Sequence, residues 1–282
     1  MNELFFVYNN KFFRSGEPVI SAGNRGLRYG DGLFETMRIE HGRILNAGFH
    51  FDRLFHGLSV LQFETPKIFS PESLTQNIHD LFRKNGHDEN ARVRLNVFRG
   101  DGGVFDADSH SPNCIIESWA LPGAMALNEN GLTVDIFPDA RKSCDLFSNL
   151  KSNNYLPSAM AALFAKRNKL NDAILLNVNE RICESAIANL FIIKGNNIYT
   201  PPLSEGCVAG VIRRWIIERF SPANYSVIER SLSIDDLLDA EEMFLTNSIR
   251  PIQWVQHFGE KVFENKKITE IYKMAYKDFL SM

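Results

Sequence analysis

Residues 148–167, SNLKSNNYLPSAMAALFAKR, carry one charged side chain near their start, Lys151, and no other before Lys166. The small and apolar residues that follow Lys151 predict a buried helix over 154–168. A lysine bonds covalently to carbonyl compounds when apolar surroundings lower its pKa, because the free amine is then available to attack. An ordinary surface lysine is the alternative, and this stretch alone does not decide between the two.

The bulk composition limits the class of protein. The chain has 282 residues, enough for two domains. Its content of 44% hydrophobic and 23% charged residues is that of an ordinary globular protein. A net charge of −3 gives no basic surface field, so neither nucleic acid nor an anionic membrane is expected as the main partner.

The cysteines and the N-terminus indicate a reducing compartment. The absence of any Cys-x-x-Cys pair argues against a metal site or redox motif and favours reduced core thiols at Cys114, Cys144, Cys183 and Cys207. The N-terminal stretch MNELFFVY has an acid where a secretion signal has a base, and its apolar run is short. No segment has the length of a bilayer span. We therefore expect a cytoplasmic protein.

Alternating strand-like and helix-like patterns predict two α+β domains. The smaller is expected over 1–120, a linker rich in Pro, Gly and Asn over 121–131, and the larger over 132–282. β-Branched and aromatic residues predict strands at 4–8, 33–40, 92–98, 132–137, 173–178, 190–194, 197–199 and 242–246. Helical spacing of apolar residues predicts helices at 50–61, 71–84, 154–168, 208–220, 234–239 and 267–280. Antiparallel turns are expected at Asn179-Glu180 and Gly195-Asn196.

A second stretch that contains a candidate functional residue is ICESAIANLFII, residues 182–193, where Glu184 lies among small and apolar side chains. A buried carboxylate is costly unless it has a cationic partner. Glu184 is therefore either a turn residue that follows Asn179-Glu180-Arg181 or a carboxylate that keeps a heterocyclic nitrogen protonated, as electron-accepting cofactors require.

Three further positions have the chemistry to bind phosphate. A Pro-Pro turn leads into a helix that begins near Gly210, and helix N-terminal amides bind anions well where a glycine permits close approach. Arg53 flanks the apolar stripe of the helix predicted at 50–61. Ser248 lies in a turn after a strand. Each also has an ordinary explanation: a loop-to-helix junction, an arginine that snorkels to solvent, and a turn cap.

Taken together, these groups form the set that pyridoxal 5′-phosphate requires: a lysine for a Schiff base, a carboxylate for the ring nitrogen, and a helix N-terminus, an arginine and a hydroxyl for the phosphate. A dinucleotide is not expected, because the glycines of GDGLFE and GDGGVF lack the spacing of a dinucleotide-binding loop.

Seven stretches between residue 24 and about residue 252, in order, resemble the class IV (fold type IV) pyridoxal-phosphate enzymes. They are NRGLRYGDGLFETMR, HFDRL, ARVRLNVFRGDGG, LKSNNYLPSAMAA, AILLNVNERICESAIANLFII, YTPPLSEGCVAGVIRR and EEMFLTNSIRPI. The family includes branched-chain and D-amino acid aminotransferases and 4-amino-4-deoxychorismate lyases. The resemblance implies a two-domain α+β fold with the cofactor site between the domains, and a homodimer.

The resemblance also implies roles for individual residues. Lys151 matches the lysine that forms the Schiff base and moves the α-proton, and Glu184 matches the carboxylate on the pyridine nitrogen. Arg53 matches the phosphate-binding arginine. Tyr155 matches a tyrosine that some members place near the ring hydroxyl, if a gap of one residue is allowed.

Further phosphate contacts follow from the same resemblance. Val211 and Ile212 match the pair at the helix N-terminus whose amides hold the phosphate. Many transaminases have threonine at the second position, so the contact of Ile212 would be through its backbone only. Ser248 matches a position where a hydroxyl completes the phosphate site.

Substrate contacts are expected on two strands and a neighbouring tyrosine. Strand alternation places Phe34, Thr36 and Arg38 on one face. Arg94 falls where some members of the family bind a substrate carboxylate, with Arg38 as its candidate partner. Tyr29, in the first of the seven stretches, is the remaining candidate. An exposed sheet face is the alternative for the two arginines.

The expected reaction is either lyase or transaminase chemistry. The stretches LTNSIRPI, FETMR, ARVRLN and LKSNNYL resemble those of 4-amino-4-deoxychorismate lyase, which removes pyruvate to leave 4-aminobenzoate, a folate precursor. An amino-acid:2-oxo-acid aminotransferase of the branched-chain type is the alternative. The D-amino acid type is disfavoured, because the loop GDGGVFDADSHSPN lacks the arginine of that group's Arg-x-His carboxylate site. The partners expected are therefore small amino or oxo acids or aminodeoxychorismate.

Overall fold

The computed structural model describes residues 4–123, 125–218 and 225–281, which divide into two compact units. The first unit contains the described residues up to 123 together with Leu150–Asn154. The second contains Met125–Asn149 and the described residues from Tyr155 onward. The sequence predicts one uninterrupted second domain over 132–282. The short segment around Lys151 instead belongs to the first unit.

A six-stranded sheet forms the first unit, in the order β2-β1-β6-β5-β3-β4. Its strands are β1 (Phe5–Tyr8), β2 (Lys11–Arg14), β3 (Gly32–Glu40), β4 (Arg43–Ile44), β5 (Ala91–Arg99) and β6 (Pro112–Ala120). Each neighbouring pair is antiparallel. The long central strands β3 and β5 pair over their whole lengths, which fixes the side chains that face one another across them.

Helices α2 (Ala47–Val60) and α3 (Pro71–Lys84) pack on this sheet and build its core, whereas the short helix α1 (Arg25–Tyr29) has no buried residue. Helix α3 begins at a capping box in which Ser70 and Ser73 satisfy each other's backbone amides, with Pro71 in the first turn. The apolar faces of α2 and α3 pack on the sheet through residues such as Leu54, Leu58 and Ile78.

The second unit is built on a mixed nine-stranded sheet among the described residues, with the path β12-β11-β10-β13-β14-β7-β8-β9 and β15 paired to β14. Its strands are β7 (Leu132–Lys142), β8 (Asp172–Asn177), β9 (Ile182–Ser185), β10 (Asn189–Lys194), β11 (Asn197–Thr200), β12 (Ser226–Glu229), β13 (Glu242–Thr246), β14 (Gln253–Phe258) and β15 (Lys261–Val262). Its helices are α4 (Leu156–Arg167), α5 (Val211–Glu218), α6 (Ile234–Leu238) and α7 (Lys266–Ser281).

Parallel and antiparallel pairs occur together in this sheet. Strand β7 runs parallel to β8, and the crossover between them contains α4. The two predicted hairpins are present, since β8 pairs with β9 and β10 with β11 in antiparallel fashion. Buried residues of the strands, among them Ile174, Leu190 and Leu245, form the core on one face.

The α+β class and all the predicted strands and helices are confirmed, with shifted ends. The helix predicted at 208–220 begins only at Val211, because 208–210 form a turn in which the Gly210 amide bonds to the Val208 carbonyl at 2.7 Å. Residues 219 and 220 lie outside the described residues. The sequence does not predict helix α1 or strands β2, β4, β6, β9, β12, β14 and β15. In β6 the inward positions include Cys114 and Ser118, which weakens its hydrophobic alternation.

Within the described parts of the chain, no helix combines the length and the hydropathy that a membrane crossing requires.

Candidate active site

Lys151 is anchored to the first unit through its main chain. The Phe34 amide donates to the Lys151 carbonyl at 2.9 Å, and the Asn153 amide donates to the Gly32 carbonyl at 3.0 Å, so that 151–153 run along the start of β3. A Cβ at position 32 would lie 2.3 Å from the Val97 carbonyl oxygen, which requires glycine there. The backbone of Lys151 is therefore fixed by a strand far away in sequence.

The ring of Phe34 holds two cationic groups. The Lys151 Nζ lies 4.4 Å from the ring centroid, and the Arg94 guanidinium carbon lies 4.2 Å from it. Both distances allow attraction between a cation and the ring face. Phe34 is 4% exposed, so this contact is made in a largely dry environment. The sequence prediction that Phe34 and Arg94 belong to the region of Lys151 agrees with this arrangement.

The same strand face is polar beside Phe34. In the register of β3 and β5, Thr36 lies opposite Arg94 and Phe34 lies opposite Asn96, and residues paired in this way project on the same side. The Asn96 Oδ1 is buried and has no hydrogen-bond partner among the described residues. A buried acceptor without a partner is costly, so this face has unused capacity for a polar ligand.

Arg53 lies on α2 and is held by Glu35 of β3. The Arg53 Nε donates to the Glu35 Oε1 at 2.8 Å, and its Nη2 donates to Oε2 at 2.5 Å. The His50 Nδ1 donates to the same Oε2 at 2.6 Å. Burial alone would raise the pKa of Glu35, but Arg53 and His50 lower it to about 2. Glu35 thus presents Arg53 in a fixed orientation.

Arg38 and Tyr29, two of the predicted substrate residues, make contacts with other protein side chains. Arg38 is buried, where its Nε donates to the Glu40 Oε2 at 2.6 Å and its Nη2 to the Gly123 carbonyl at 3.3 Å. Tyr29 lies in the short helix α1, 39% exposed, with the Arg25 guanidinium 5.5 Å from its ring centroid. The pairing of Arg38 with Glu40 balances its charge, so its role as a partner of Arg94 stays a prediction without structural support.

Glu184 lies in β9 of the second unit and has two partners. Its Oε2 accepts a hydrogen bond from the Val208 amide at 2.9 Å, and its Oε1 forms an ion pair with the Lys142 Nζ at the end of β7. The two side chains are 6% and 14% exposed. Burial by itself lowers the pKa of an ammonium, but the Glu184 carboxylate raises the pKa of Lys142 above its ordinary value. Glu184 is therefore a buried carboxylate and not a turn residue.

Tyr155 precedes α4 and is close enough to Glu184 for their charges to interact. Its hydroxyl donates to the Ala186 carbonyl at 2.9 Å. Burial, with a further contribution from Glu184, raises the pKa of Tyr155 to about 12. The phenol is consequently a neutral hydrogen-bonding group at physiological pH.

Asp172 forms a second buried carboxyl site on β8. It accepts hydrogen bonds from the Ser185 hydroxyl at 2.8 Å and from the amides of Ala173 and Ala186 at 2.7 and 3.1 Å. Burial outweighs these bonds and raises the pKa of Asp172 to about 6. Asp172 titrates close to neutral pH; the charge of Glu184 contributes to raising its pKa, and Asp172 in turn contributes to raising the pKa of Tyr155.

The start of α5 has the features of an anion site. Val211 and Ile212 are buried in its first turn, where helix amides have no carbonyl partner within the helix. A Cβ at position 210 would lie 1.8 Å from the Asn189 Oδ1, so only glycine fits there. Thr246 lies opposite Asn189 on the neighbouring strand, and its buried Oγ1 has no partner among the described residues.

Ser248, the predicted phosphate hydroxyl, lies two residues beyond Thr246 in the turn after β13. It is half-buried, and the Asn247 side chain shapes the turn by accepting hydrogen bonds from the amides of Ile249 and Arg250 at 3.0 and 2.9 Å. The buried hydroxyl of Thr246, which has no hydrogen-bond partner among the described residues, adds a donor beside Ser248.

Comparison with known proteins places the chain in a class. The model of the family described as amino-transferase class IV matches residues 32–258. The chain is 31% identical over 253 residues to an aminodeoxychorismate lyase of Bacillus subtilis, covering 86% of this chain and 83% of that protein. It is 29% identical over 272 residues to a putative branched-chain-amino-acid aminotransferase of Methanocaldococcus jannaschii, covering 96% and 93%.

Solved structures agree with this assignment. A branched-chain amino acid aminotransferase of Escherichia coli superimposes with a TM-score of 0.87 at 26% identity, over 99% of this chain and 95% of that one. A branched-chain aminotransferase of Thermoproteus uzoniensis, solved with norvaline, gives a TM-score of 0.88 at 21% identity, over 99% and 96%, and supports the fold alone.

The fold and the family match define a fold type IV enzyme that depends on pyridoxal phosphate. The chain belongs to the class IV aminotransferase family and is a transaminase or a lyase. The resemblance, the α+β fold and the cofactor predicted from the sequence are confirmed.

The residues fit this cofactor. The first unit offers the Lys151 amine and the Arg53 guanidinium. The second offers the Glu184 carboxylate, the amides that open α5 and the hydroxyl of Thr246, which has no partner in the part of the chain that the structure describes. These are the groups that hold an aldehyde, a ring nitrogen and a phosphate.

Sequence reasoning missed the supporting residues. They are Lys142 beside Glu184, and Glu35 and His50 beside Arg53. These contacts follow from strand pairing and helix packing and have no local signature.

Proposed function

We propose that this protein is a 4-amino-4-deoxychorismate lyase, which eliminates pyruvate from its substrate and leaves 4-aminobenzoate. The observation that carries the proposal is the polarity of the β3–β5 face beside Lys151, where Arg94, Thr36 and Asn96 stand next to Phe34. An amino acid with a branched aliphatic side chain calls for an apolar surface. Aminodeoxychorismate has two carboxylates and a polar ring, which suit a cation, a hydroxyl and an amide.

Each residue has a defined task in this proposal. Lys151 bonds the cofactor and, once freed, moves protons through its Nζ. Glu184 holds a proton on the ring nitrogen. Arg53, oriented by Glu35, and the amides of Val211 and Ile212 bind the phosphate, aided by the hydroxyl of Ser248. Tyr155, whose neutral hydroxyl donates to the Ala186 carbonyl, lies near the ring hydroxyl and offers its oxygen as an acceptor.

The substrate is held and deprotonated by the first unit. Pyridoxal phosphate, when bound, supplies a ring that accepts electrons from the carbon bearing the substrate amine. Arg94 binds a substrate carboxylate, and the Lys151 Nζ removes the proton from that carbon. The ether C–O bond on the ring then breaks, and the ring becomes aromatic. The group that departs is the enolate of pyruvate, and its methylene carbon takes up one proton, equal to the one that Lys151 removed, so no other reactant is needed.

Similarity to two relatives named as aminodeoxychorismate lyases supports the lyase. The chain is 31% identical to the lyase of Bacillus subtilis and 28% identical, over 90% of its own length, to that of Vibrio harveyi. A branched-chain transaminase is the second candidate, favoured by the 29% identity to the Methanocaldococcus jannaschii protein over 96% of this chain. Both reactions need the same cofactor and the same proton transfer at Lys151.

A direct assay separates the two. The cofactor-loaded protein is incubated with aminodeoxychorismate, and pyruvate and 4-aminobenzoate are measured in parallel. Equal amounts of both products are expected. The same preparation is then given leucine and 2-oxoglutarate. Glutamate formation at a rate above that of pyruvate release would reverse the assignment.

Two variants connect the activity to the proposed residues. Lys151→Ala should lose both activity and the cofactor that borohydride fixes to the protein, as measured by peptide mass spectrometry. Arg94→Gln should retain the fixed cofactor but raise KM for aminodeoxychorismate, because only the carboxylate contact is lost. An unchanged KM in Arg94→Gln would remove Arg94 from the substrate site.

We also propose, by analogy with the family, that the protein is a cytoplasmic homodimer. The large exposed apolar side chains of Leu146, Phe147 and Leu156 in the second unit support an interface with a second copy of the chain. Sedimentation velocity at micromolar concentration should give twice the chain mass of 32.1 kDa. A monomer at the concentration at which the enzyme is active would overturn this part of the proposal.

A further inference from the structure

The ion pair between Lys142 and Glu184 joins two strands that are not direct neighbours. Lys142 ends β7, Glu184 lies in β9, and β8 runs between them in the sheet. Both side chains are largely buried, and the Val208 amide donates to the second carboxylate oxygen at 2.9 Å. A buried pair of this kind persists only when its geometry and its remaining hydrogen bonds are good.

The two contacts, one to each carboxylate oxygen, fix the orientation of Glu184. Each carboxylate oxygen has one donor, and a carboxylate has about four lone-pair positions, so positions remain for a third donor. The group that would use them in the proposed function is the protonated ring nitrogen. That nitrogen would place a second positive charge on a carboxylate that already has an ammonium as its partner.

We propose that Lys142 is a positioning residue for the reaction: it is the resident counter-ion of Glu184, and it weakens the hold of Glu184 on the proton of the cofactor ring nitrogen. The inference depends on the role of Glu184 in the proposed function, but it does not depend on which substrate is used. With Lys142 present, the pair is neutral before the cofactor binds. Without it, the ring nitrogen becomes the main counter-charge of a buried carboxylate and retains its proton to higher pH.

Five other titratable groups lie near the pair. They are Cys144, Tyr155, Asp172, Cys183 and Cys207. Burial raises the pKa of each thiol and of the phenol, so these four groups keep their protons between pH 5 and 8. Asp172 titrates inside that range. The Asp172→Asn substitution removes this ionisation, so that it does not overlap the titration of the ring nitrogen.

The test measures the ring nitrogen itself. Cofactor labelled with ¹⁵N in the ring is bound to the wild type, Lys142→Met and Lys142→Arg, each in the Asp172→Asn background, and the ¹⁵N chemical shift is followed from pH 5 to 9. Lys142→Met should raise the apparent pKa of the ring nitrogen by about one unit or more. Lys142→Arg keeps the charge and should match the wild type. Equal titrations in all three proteins would overturn the inference.

A stability measurement covers the case in which Lys142→Met folds poorly. The rise in melting temperature on adding pyridoxal phosphate is compared with the rise for an analogue that has CH in place of the ring nitrogen. The difference between the two ligands should be larger in Lys142→Met than in the wild type, because the ring nitrogen replaces the lost counter-ion. The same difference in both proteins would contradict the role of Lys142.

Glu184→Gln distinguishes failure of this inference from failure of the proposed function. If Glu184→Gln shifts the ¹⁵N titration but Lys142→Met does not, only the role of Lys142 is wrong. If Glu184→Gln also leaves the titration unchanged, the assignment of Glu184 is wrong. The choice between lyase and transaminase is decided separately by the product assay.

Discussion

The amine of Lys151 lies 4.4 Å from the ring centroid of Phe34, and the amide of Phe34 donates to the Lys151 carbonyl at 2.9 Å. One residue of β3 therefore fixes both the main chain and the side-chain end of Lys151. This double contact positions the amine before any ligand arrives, and such preorganisation reduces the cost of bringing reacting groups together.

Replacing Phe34 by leucine should impair the positioning of Lys151. A contact between a cation and a ring contributes about 0.5–2 kcal/mol, which corresponds to a loss of about two- to thirtyfold in kcat/KM. The backbone hydrogen bond is kept, so borohydride should still fix cofactor to Lys151. Phe34→Tyr retains the ring and is the matched control. Wild-type kcat/KM in Phe34→Leu would show that the ring contact has no part in catalysis.

Glu35→Gln should destabilise the first unit, because it leaves the Arg53 charge buried without its counter-ion. At pH 7 the expected decrease in the free energy of unfolding is about 3 kcal/mol. The pKa of Glu35 is lowered to about 2 in the folded protein, so its stabilisation is present above the unfolded pKa and is lost as the pH falls toward 2. Urea unfolding at pH 7, 4 and 3 should show the difference between variant and wild type shrinking with decreasing pH. A constant difference would exclude this linkage.

Asp172→Asn should have the opposite dependence on pH. Burial raises the pKa of Asp172 to about 6, so the folded protein binds this proton more tightly than the unfolded chain does. Stability from Asp172 is therefore lost as the pH rises from about 4 to 6, by about 3 kcal/mol in total. Relative to the wild type, Asp172→Asn should be more stable at pH 8 than at pH 4. If the free energies of unfolding of the two proteins change in parallel with pH, the raised pKa of Asp172 is refuted.

Gly210→Ala should weaken cofactor binding through its phosphate. The added Cβ would lie 1.8 Å from the Asn189 Oδ1, so the turn before α5 must move and the first-turn amides lose their alignment. Loss of one charge-assisted hydrogen bond raises the Kd for pyridoxal phosphate by about ten- to hundredfold. Pyridoxal, which has no phosphate, should bind with little change.

Gly48→Ala is the control for this substitution. Gly48 lies in α2, where an added Cβ meets no atom within 4 Å, and alanine favours a helix. Its Kd for pyridoxal phosphate should equal that of the wild type. An equal weakening of pyridoxal and pyridoxal phosphate in Gly210→Ala would show that the turn acts on the ring and not on the phosphate.

The sequence by itself determined the α+β class, most of the strands and helices, and the family. These depend on local patterns, because the spacing of apolar residues in a segment and the residues of a motif can both be read within a short stretch of the chain. Lys151, Glu184 and the start of α5 became candidates through their combination and through the family resemblance, because each stretch taken alone also has an ordinary explanation.

Only the tertiary structure decided which groups support those residues. Glu35 and Arg53 are 18 positions apart, and Lys142 and Glu184 are 42 apart, and neither pair belongs to one local pattern. The pairing of Leu150–Asn154 with the first unit likewise interrupts a stretch that reads as one domain. These contacts depend on strand register and helix packing, which bring distant charges together where burial makes each charge require its partner.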